Sequence, residues 1–157
     1  MIRPAELADA AAVASIHHEH LGSDQPMSPR QTRFWRDAIE FAEPQIQVAD
    51  EDGELVGFVG YDRSRDPKTK PTVGEIWALH VLPDHQGQGI GLALWDAARE
   101  GLDEEGCTQV TVWVQLRNER ALRFFELAGF KREMTTLRTA QVGVERLEEV
   151  RLKRDVT

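Results

Sequence analysis

The sequence predicts an α/β fold of the α+β kind, on three observations. Apolar residues switch between helical and two-residue spacing along the chain. A glycine-rich turn stands between a strand and a helix, and no low-complexity tract or linker divides the 157 residues. One domain over residues 1–157 is the expectation, because that length buries a substantial core without metal or disulfide staples. The expected order is β, α, α, β, β, β, α, β, α, β, β.

Each element has its own signal. Ile2 to Pro4 can form a short edge strand, and Asp9 stands ready to cap a first helix carrying Val13 and Ile16 and ending near Leu21 and Gly22. Gly22 to Pro29 reads as a loop, followed by a second helix with Phe34, Trp35, Ala38, Ile39 and Phe41. From Gln45 the period becomes two: Ile46 and Val48 precede the acidic turn Asp50 to Gly53, and Leu55 to Tyr61 returns as the other arm of a hairpin. Arg63 to Lys70 is a charged loop, and Thr72 to Leu82 is strand-like until Pro83 removes a ladder donor. Gln86 to Gly91 opens a helix with Leu92, Leu94, Trp95, Ala98 and Leu102. Gln109 to Leu116 alternates strictly, with Val110, Val112, Val114 and Leu116 on one face. Asn118 to Ala128 is a short amphipathic helix stopped by Gly129, and Phe130 to Lys153 is polar but β-compatible in two stretches.

Composition bounds the partners. With 19 Lys and Arg against 27 Asp and Glu the net charge is −8, and no basic stripe tracks a phosphate backbone, so nucleic acid is not an expected partner. Cys107 is the only cysteine, which excludes an internal disulfide and a multi-cysteine zinc site and fits a reducing cytoplasm; a small buried residue is the expected role. No apolar h-region and no run of 18 apolar residues occur, so neither secretion nor membrane insertion is expected.

The segment from Val81 to Gly91 carries the chemistry. Gly87, Gly89 and Gly91 lie between a strand end and a helix start, where exposed N–H groups and the helix dipole can hold a pyrophosphate; the competing reading is a tight connection that merely needs small residues. No Gly-Lys-Ser/Thr follows, which excludes a P-loop, and the glycine spacing is not the dinucleotide fingerprint.

Gln86-x-x-Gly89-x-Gly91 after a Val-x-Pro strand end resembles the cofactor motif of the GNAT superfamily of N-acetyltransferases. Downstream, Asn118-x-x-Ala121-x-x-Phe124-Phe125-Glu-x-x-Gly129-Phe130 is similar to that family's pattern of Asn, Ala, aromatic pair and Gly-Phe. The opening Ile2-Arg3-Pro4 with Asp9, Val13 and Ile16 also resembles the family's start, so the likeness covers nearly the whole chain. It implies a mixed, mostly antiparallel sheet splayed between strands four and five, flanked by about four helices, with acetyl-CoA in the splay as co-substrate and no metal. On the resemblance, Leu79, His80 and Val81 offer main-chain groups to the pantetheine arm. Gln86, Gly87, Gln88, Gly89, Ile90, Gly91 and Leu92 form the pyrophosphate turn, Asn118 hydrogen-bonds the cofactor, and Phe125 stands where the family carries a tyrosine that protonates the departing thiolate.

Acetyl transfer needs a deprotonated amine, a polarised thioester and a stabilised thiolate. Glu75, a carboxylate in an apolar strand eleven residues before Gln86, is the candidate base, with a spacing that resembles the histone acetyltransferase branch; burial would raise its pKa. The competing reading pairs it with a cation at the strand start. The branch that acetylates protein N-termini carries a glutamate where this chain has Trp113, and Trp113 and Trp77 can instead wall an acceptor pocket or serve as core. His17, His18 and His20 lack the H-E-x-x-H spacing of a metal site and read as a helix end, in the family at the border of the acceptor site.

The expected function is therefore transfer of acetyl from acetyl-CoA to a primary amine of a small molecule or peptide, by a cytoplasmic homodimer. The rival is a non-catalytic acyl-CoA-binding sensor or interaction module, suggested by the missing tyrosine. Loops Gly22 to Pro29 and Arg138 to Arg146 are the expected acceptor-facing segments, and they carry no readable code.

Overall fold

A computed structural model of the chain describes residues 1–22, 24–142 and 144–156. Seven strands follow the order β1-β2-β3-β4-β5-β7-β6, with four helices. They are β1 (Ile2–Pro4), α1 (Ala10–Leu21), α2 (Pro29–Phe41), β2 (Gln45–Glu51), β3 (Glu54–Arg63), β4 (Val73–Val81), α3 (Ile90–Glu104), β5 (Gln109–Gln115), α4 (Glu119–Leu127), β6 (Lys131–Val142) and β7 (Glu145–Asp155). The order expected from periodicity is the order observed. By its contacts the chain divides into two compact units, Met1–Asp62 with Trp77–Leu102, and Arg63–Ile76 with Asp103–Thr157, and strand β4 contributes residues to both.

The first unit is organised by the hairpin of β2 and β3, whose antiparallel register pairs Gln45 with Tyr61 and Glu51 with Glu54. That register leaves Asp52 and Gly53 as the two loop residues, both with positive φ (54° and 92°), the conformation that right-twisted hairpins favour. Asp50 accepts the Gly53 N–H at 2.7 Å, closing the turn. Strand β1 adds to the far side of β2, Ile2 opposite Ala49. Val13, Ala14 and Ile16 of α1, Trp35 and Ala38 of α2, and Ile46, Val48 and Phe58 of the hairpin form one core.

Two expectations about helix starts change. Asp9 occupies the position before α1 but makes no cap bond to it. Its carboxylate accepts instead from the Glu6 N–H at 2.7 Å and pairs with Arg3 at 2.8 Å, which holds it well below the usual carboxylate range. The reason is competition: a guanidinium and a nearer amide outweigh the helix N–H groups. At α2 the helix begins earlier than the apolar pattern suggests, because Ser28 and Gln31 form a reciprocal capping box and Pro29 takes the first turn, where its missing N–H costs nothing.

In the second unit, β5 lies parallel to the first part of β4, Val73 opposite Gln109 through Ile76 opposite Val112. On its other side β5 pairs antiparallel with β7, placing Val112 opposite Leu152 and Val114 opposite Val150, all buried. Thr111, on the face opposite those valines, is buried too and donates its hydroxyl to the Gly74 carbonyl at 3.3 Å. Cys107 is buried, as expected of it.

The segment Arg138 to Arg146, expected as a loop, is mostly strand: β6 and β7 pair from Arg138 opposite Glu149 to Val142 opposite Glu145. Cross-strand charge explains this, since Arg138 Nε meets Glu149 at 2.7 Å on an alternating polar stretch. Gly143, within that segment, and Ser23, within Gly22 to Pro29, lie outside the described residues. No helix among the described residues is long and apolar enough to cross a membrane.

Gly57 of β3 lies close against main chain in the first unit. A Cβ there would come 2.8 Å from the His80 carbonyl and 3.3 Å from Leu94 and Val81. Glycine in a strand interior ordinarily weakens it, so alanine would normally be harmless. Here Gly57→Ala must displace main chain and is expected to destabilise the protein by about 1–3 kcal/mol, read as a lower midpoint in urea; an unchanged or higher midpoint would show that β4 moves aside freely.

Candidate functional site

The turn from β4 into α3 is built by three local bonds in the first unit. Gln86 reaches back to donate its side-chain amide to the Val81 carbonyl at 3.0 Å, satisfying the end of the strand. A single 3-10 turn at Pro83–His85 follows Leu82, with the His85 N–H on the Leu82 carbonyl at 2.9 Å. Gly87 and Gly89 then take left-handed backbone, φ 80° and 83°, which side chains adopt only under strain. Ala93 N–H closes the first turn of α3 on the Gly89 carbonyl at 3.0 Å. The amides of Ile90, Gly91 and Leu92 precede that bond and are the helix's orphan donors, at the positive end of its dipole.

Space agrees with a ligand there. A Cβ built on Gly87 or Gly89 meets no atom within 4 Å, so both glycines border open room rather than a packed wall. Ile90, Leu94, Trp95, Ala98 and Leu102 anchor α3 by its buried face, while Leu92 is half exposed. Leu79, His80 and Val81 lie at the end of β4 leading to this turn, and all three are partly buried. Amides arranged in this way at a helix start have the geometry to accept an anion without a charged side chain.

Glu75, Trp113, Asn118 and Phe125 lie in the second unit. Asn118 caps α4, its Oδ1 accepting the Ala121 N–H at 3.1 Å. Phe125 is buried, edge-on to Phe124 at 5.1 Å and to Phe130 at 5.3 Å. Glu75 is 2% exposed and fully engaged: Oε1 accepts the Arg65 main-chain N–H at 2.9 Å, and Oε2 meets the Arg65 guanidinium at 2.6 Å. Trp113 donates its indole N–H to Asp66 at 3.1 Å, and its ring lies under the Arg138 guanidinium at 3.5 Å. Asp66 also receives Arg151 at 3.2 Å, and Arg151 bridges on to Glu133 at 2.9 Å.

The sequence matches the pattern of the Acetyltransferase (GNAT) family over residues 11–130. The chain belongs to that family. Among its relatives is a mycothiol acetyltransferase of Sanguibacter keddieii, 34% identical over 134 residues, which cover 85% of this chain and 41% of that protein. The chain thus spans about two fifths of the length of that curated relative. In fold it resembles an N-acetyltransferase from Staphylococcus aureus, TM-score 0.83 at 18% identity over 100% of this chain and 98% of the other. It also resembles the Salmonella typhimurium protein yncA, solved with its cofactor acetyl-CoA, TM-score 0.81 at 21% identity over 100% and 94%. These likenesses establish the GNAT fold, a mostly antiparallel seven-stranded sheet with the parallel β4–β5 pair.

Within this GNAT domain the β4–α3 turn has the main-chain form that its glycines imply. What the sequence does not disclose is the partner of Glu75. A buried carboxylate in a strand demands one, but the charged loop offers Arg63, Arg65, Lys68 and Lys70 alike, and only the fold selects Arg65. Equally hidden is the company of His80, whose ring packs among His17, His20 and Phe58. Its position after Leu79 suggests only a main-chain role. Among the described residues no group of His, Cys, Asp or Glu has the arrangement to hold a metal ion.

Proposed function

We propose that this chain is a single acetyl-CoA-dependent N-acetyltransferase domain that moves the acetyl group directly to a primary amine of a small molecule or peptide. The observation that carries the reading is the β4–α3 turn, with its left-handed Gly87 and Gly89, open space beside both, and orphan amides at the start of α3. Family membership supports it, as does the acetyl-CoA bound in the Salmonella relative in fold. On this reading Gly87 to Leu92 hold the pyrophosphate, Leu79, His80 and Val81 serve the pantetheine arm through main chain, and Asn118, its Oδ1 spent on the cap, uses its amide N–H toward the cofactor. Bound acetyl-CoA supplies an activated acyl carbon and a thiolate leaving group.

Glu75 receives a different role from the one its spacing suggests. Paired with Arg65 through both oxygens and 2% exposed, it is proposed as an anchor that ties the loop after β3 to β4 rather than as the base, since both oxygens are already spent on Arg65. The name of the Sanguibacter relative states its acceptor; for this chain the acceptor is proposed only by class, a primary amine. A cytoplasmic homodimer is also proposed, supported by β1 and β6 as edge strands at the two ends of the sheet; light scattering that finds only a 17.8 kDa species at micromolar concentration would refute it.

The second reading, an acyl-CoA-binding module without turnover, is favoured by one observation: Phe125, buried between two phenylalanines, has no hydroxyl to give the thiolate. Two variants separate the readings. Gly89→Val combines a strained left-handed φ with a branched side chain in the open space, and is expected to weaken acetyl-CoA binding at least tenfold, roughly 1.4 kcal/mol, by calorimetry; unchanged affinity in a folded variant excludes this cradle. Phe125→Tyr is expected to keep the fold and raise turnover by up to about a hundredfold on an amine the wild type accepts. An unchanged rate with acetyl-CoA still bound means that proton delivery to the thiolate does not limit, and silence of both forms on a broad amine panel replaces the enzyme with the binding module.

A further inference from the structure

The first unit holds a group of imidazoles that the pyrophosphate turn does not use. His17 and His20 lie one turn apart on α1 and converge on His80 of β4. His20 stacks on His80 with ring centroids 3.8 Å apart and 28° between planes, and His17 lies 5.6 Å from the same ring. Trp35 of α2 closes edge-on against His17 at 5.2 Å, and Phe58 of β3 against His80 at 5.5 Å. None of the three imidazoles hydrogen-bonds another described residue. By contrast, their neighbour His18 is tied to the Gln25 carbonyl at 2.8 Å and the Gln31 amide at 3.1 Å. His17 and His80 are partly buried, while His20, at the last turn of α1, is exposed.

The cluster lies at the end of β4 that leads into the turn. His80 directly precedes Val81, whose carbonyl receives the Gln86 side chain, so the imidazoles stand at the C-terminal end of β4, the end at which open sheets with helical crossovers bind ligands. Desolvation depresses the pKa of all three rings, in His20 through the ring it stacks on although the residue as a whole is exposed, and in His80 the neighbouring His20 and His17 push the same way. The titratable groups facing His20 are His17 on its own helix and His80 on β4, with His18 acting on His17; α2 and β3 present the uncharged Trp35 and Phe58. At neutral pH the stack is therefore uncharged. His80, the more strongly depressed ring, leaves His20 to carry a single incoming proton, since two imidazolium rings cannot share one stack.

We propose that His20 is the proton acceptor that turns the substrate's ammonium into the attacking amine, with His17 and His80 positioning its ring. The proposal rests on the acetyltransferase reading. In the step, R–NH3⁺ gives one proton to an imidazole nitrogen of His20. The freed amine lone pair then forms the C–N bond to the acetyl carbon, and the C–S bond breaks with its electron pair on sulfur. The second amine proton ends on the thiolate as coenzyme A thiol, and His20 returns its proton to water.

Thiol release from acetyl-CoA would be followed from about pH 5 to about pH 9, using the amine that the wild type turns over fastest in a panel of small and peptide amines. The competent form is the unprotonated ring, so kcat/KM should rise with pH through a midpoint below the ordinary imidazole value and then level off. His20→Gln is expected to lose that acid limb and about a hundredfold in kcat/KM, while acetyl-CoA affinity by calorimetry and the thermal midpoint stay near wild type. Glu75→Gln should keep the limb and lose stability instead, and His80→Phe, which preserves a stacked ring, should keep the limb as well. The proposal is overturned if His20→Gln retains the limb, or if Glu75→Gln or His80→Phe abolishes it. Wild type that binds acetyl-CoA but acetylates no amine overturns the His20 step and leaves the cofactor site standing. Failure to bind acetyl-CoA at all overturns the acetyltransferase reading beneath it.

Discussion

The bond from the Gln86 side chain to the Val81 carbonyl is the constraint on which the candidate site depends. A strand that stops short of its neighbours leaves a carbonyl without a ladder partner, and an unsatisfied acceptor there would cost a net kilocalorie or more. Gln86 supplies the donor from five residues ahead, which folds the intervening Leu82 to His85 into a compact turn. The following glycines then start from a fixed point, so their left-handed backbone aims the amides of α3 in one direction. Gln86 is thus structural in a motif whose glycines attract attention first.

A different logic governs the second unit, where charge is organised inward. Asp66 receives both the Trp113 indole and Arg151, Arg151 also binds Glu133, and Arg65 covers Glu75. Each acidic group in this chain of contacts has a donor, which is the condition for a half-buried carboxylate to be tolerated. The loop after β3 contributes Arg65 and Asp66 to this network from neighbouring positions. Its charged composition, which reads as solvated surface, therefore serves as attachment. The register shift in β6 between Glu133 and Arg138 begins at Glu133, the acceptor of one of these contacts.

Much of the fold was legible in the sequence because its signals are local. Period-two runs place β2, β3 and β5 within a residue or two of their observed ends, and the acidic turn Asp50 to Gly53 marks the hairpin. The β4–α3 glycines were equally readable, since positive φ is a property of single residues. Pairings between distant segments were not. Asp9 reads as a cap because nothing in the local sequence weighs Arg3 and the Glu6 amide against the first turn of α1. Arg138 to Arg146 read as a loop because its strand character comes from cross-strand charge, which appears only once β7 is alongside. Glu75 and His80 show the same limit at the candidate site. Their residue types and positions were evident, but Arg65 and the α1 histidines that give them chemical meaning are brought in by the fold.

Cys107 carries a practical consequence. It is the sole thiol of the chain and is 2% exposed, at the lip of β5. A reagent that counts liberated coenzyme A will therefore register almost nothing from the folded protein itself. The same shielding makes the thiol a built-in gauge of breathing: its labelling rate under native conditions reports how often this part of the chain opens, independently of whatever happens at the β4–α3 turn.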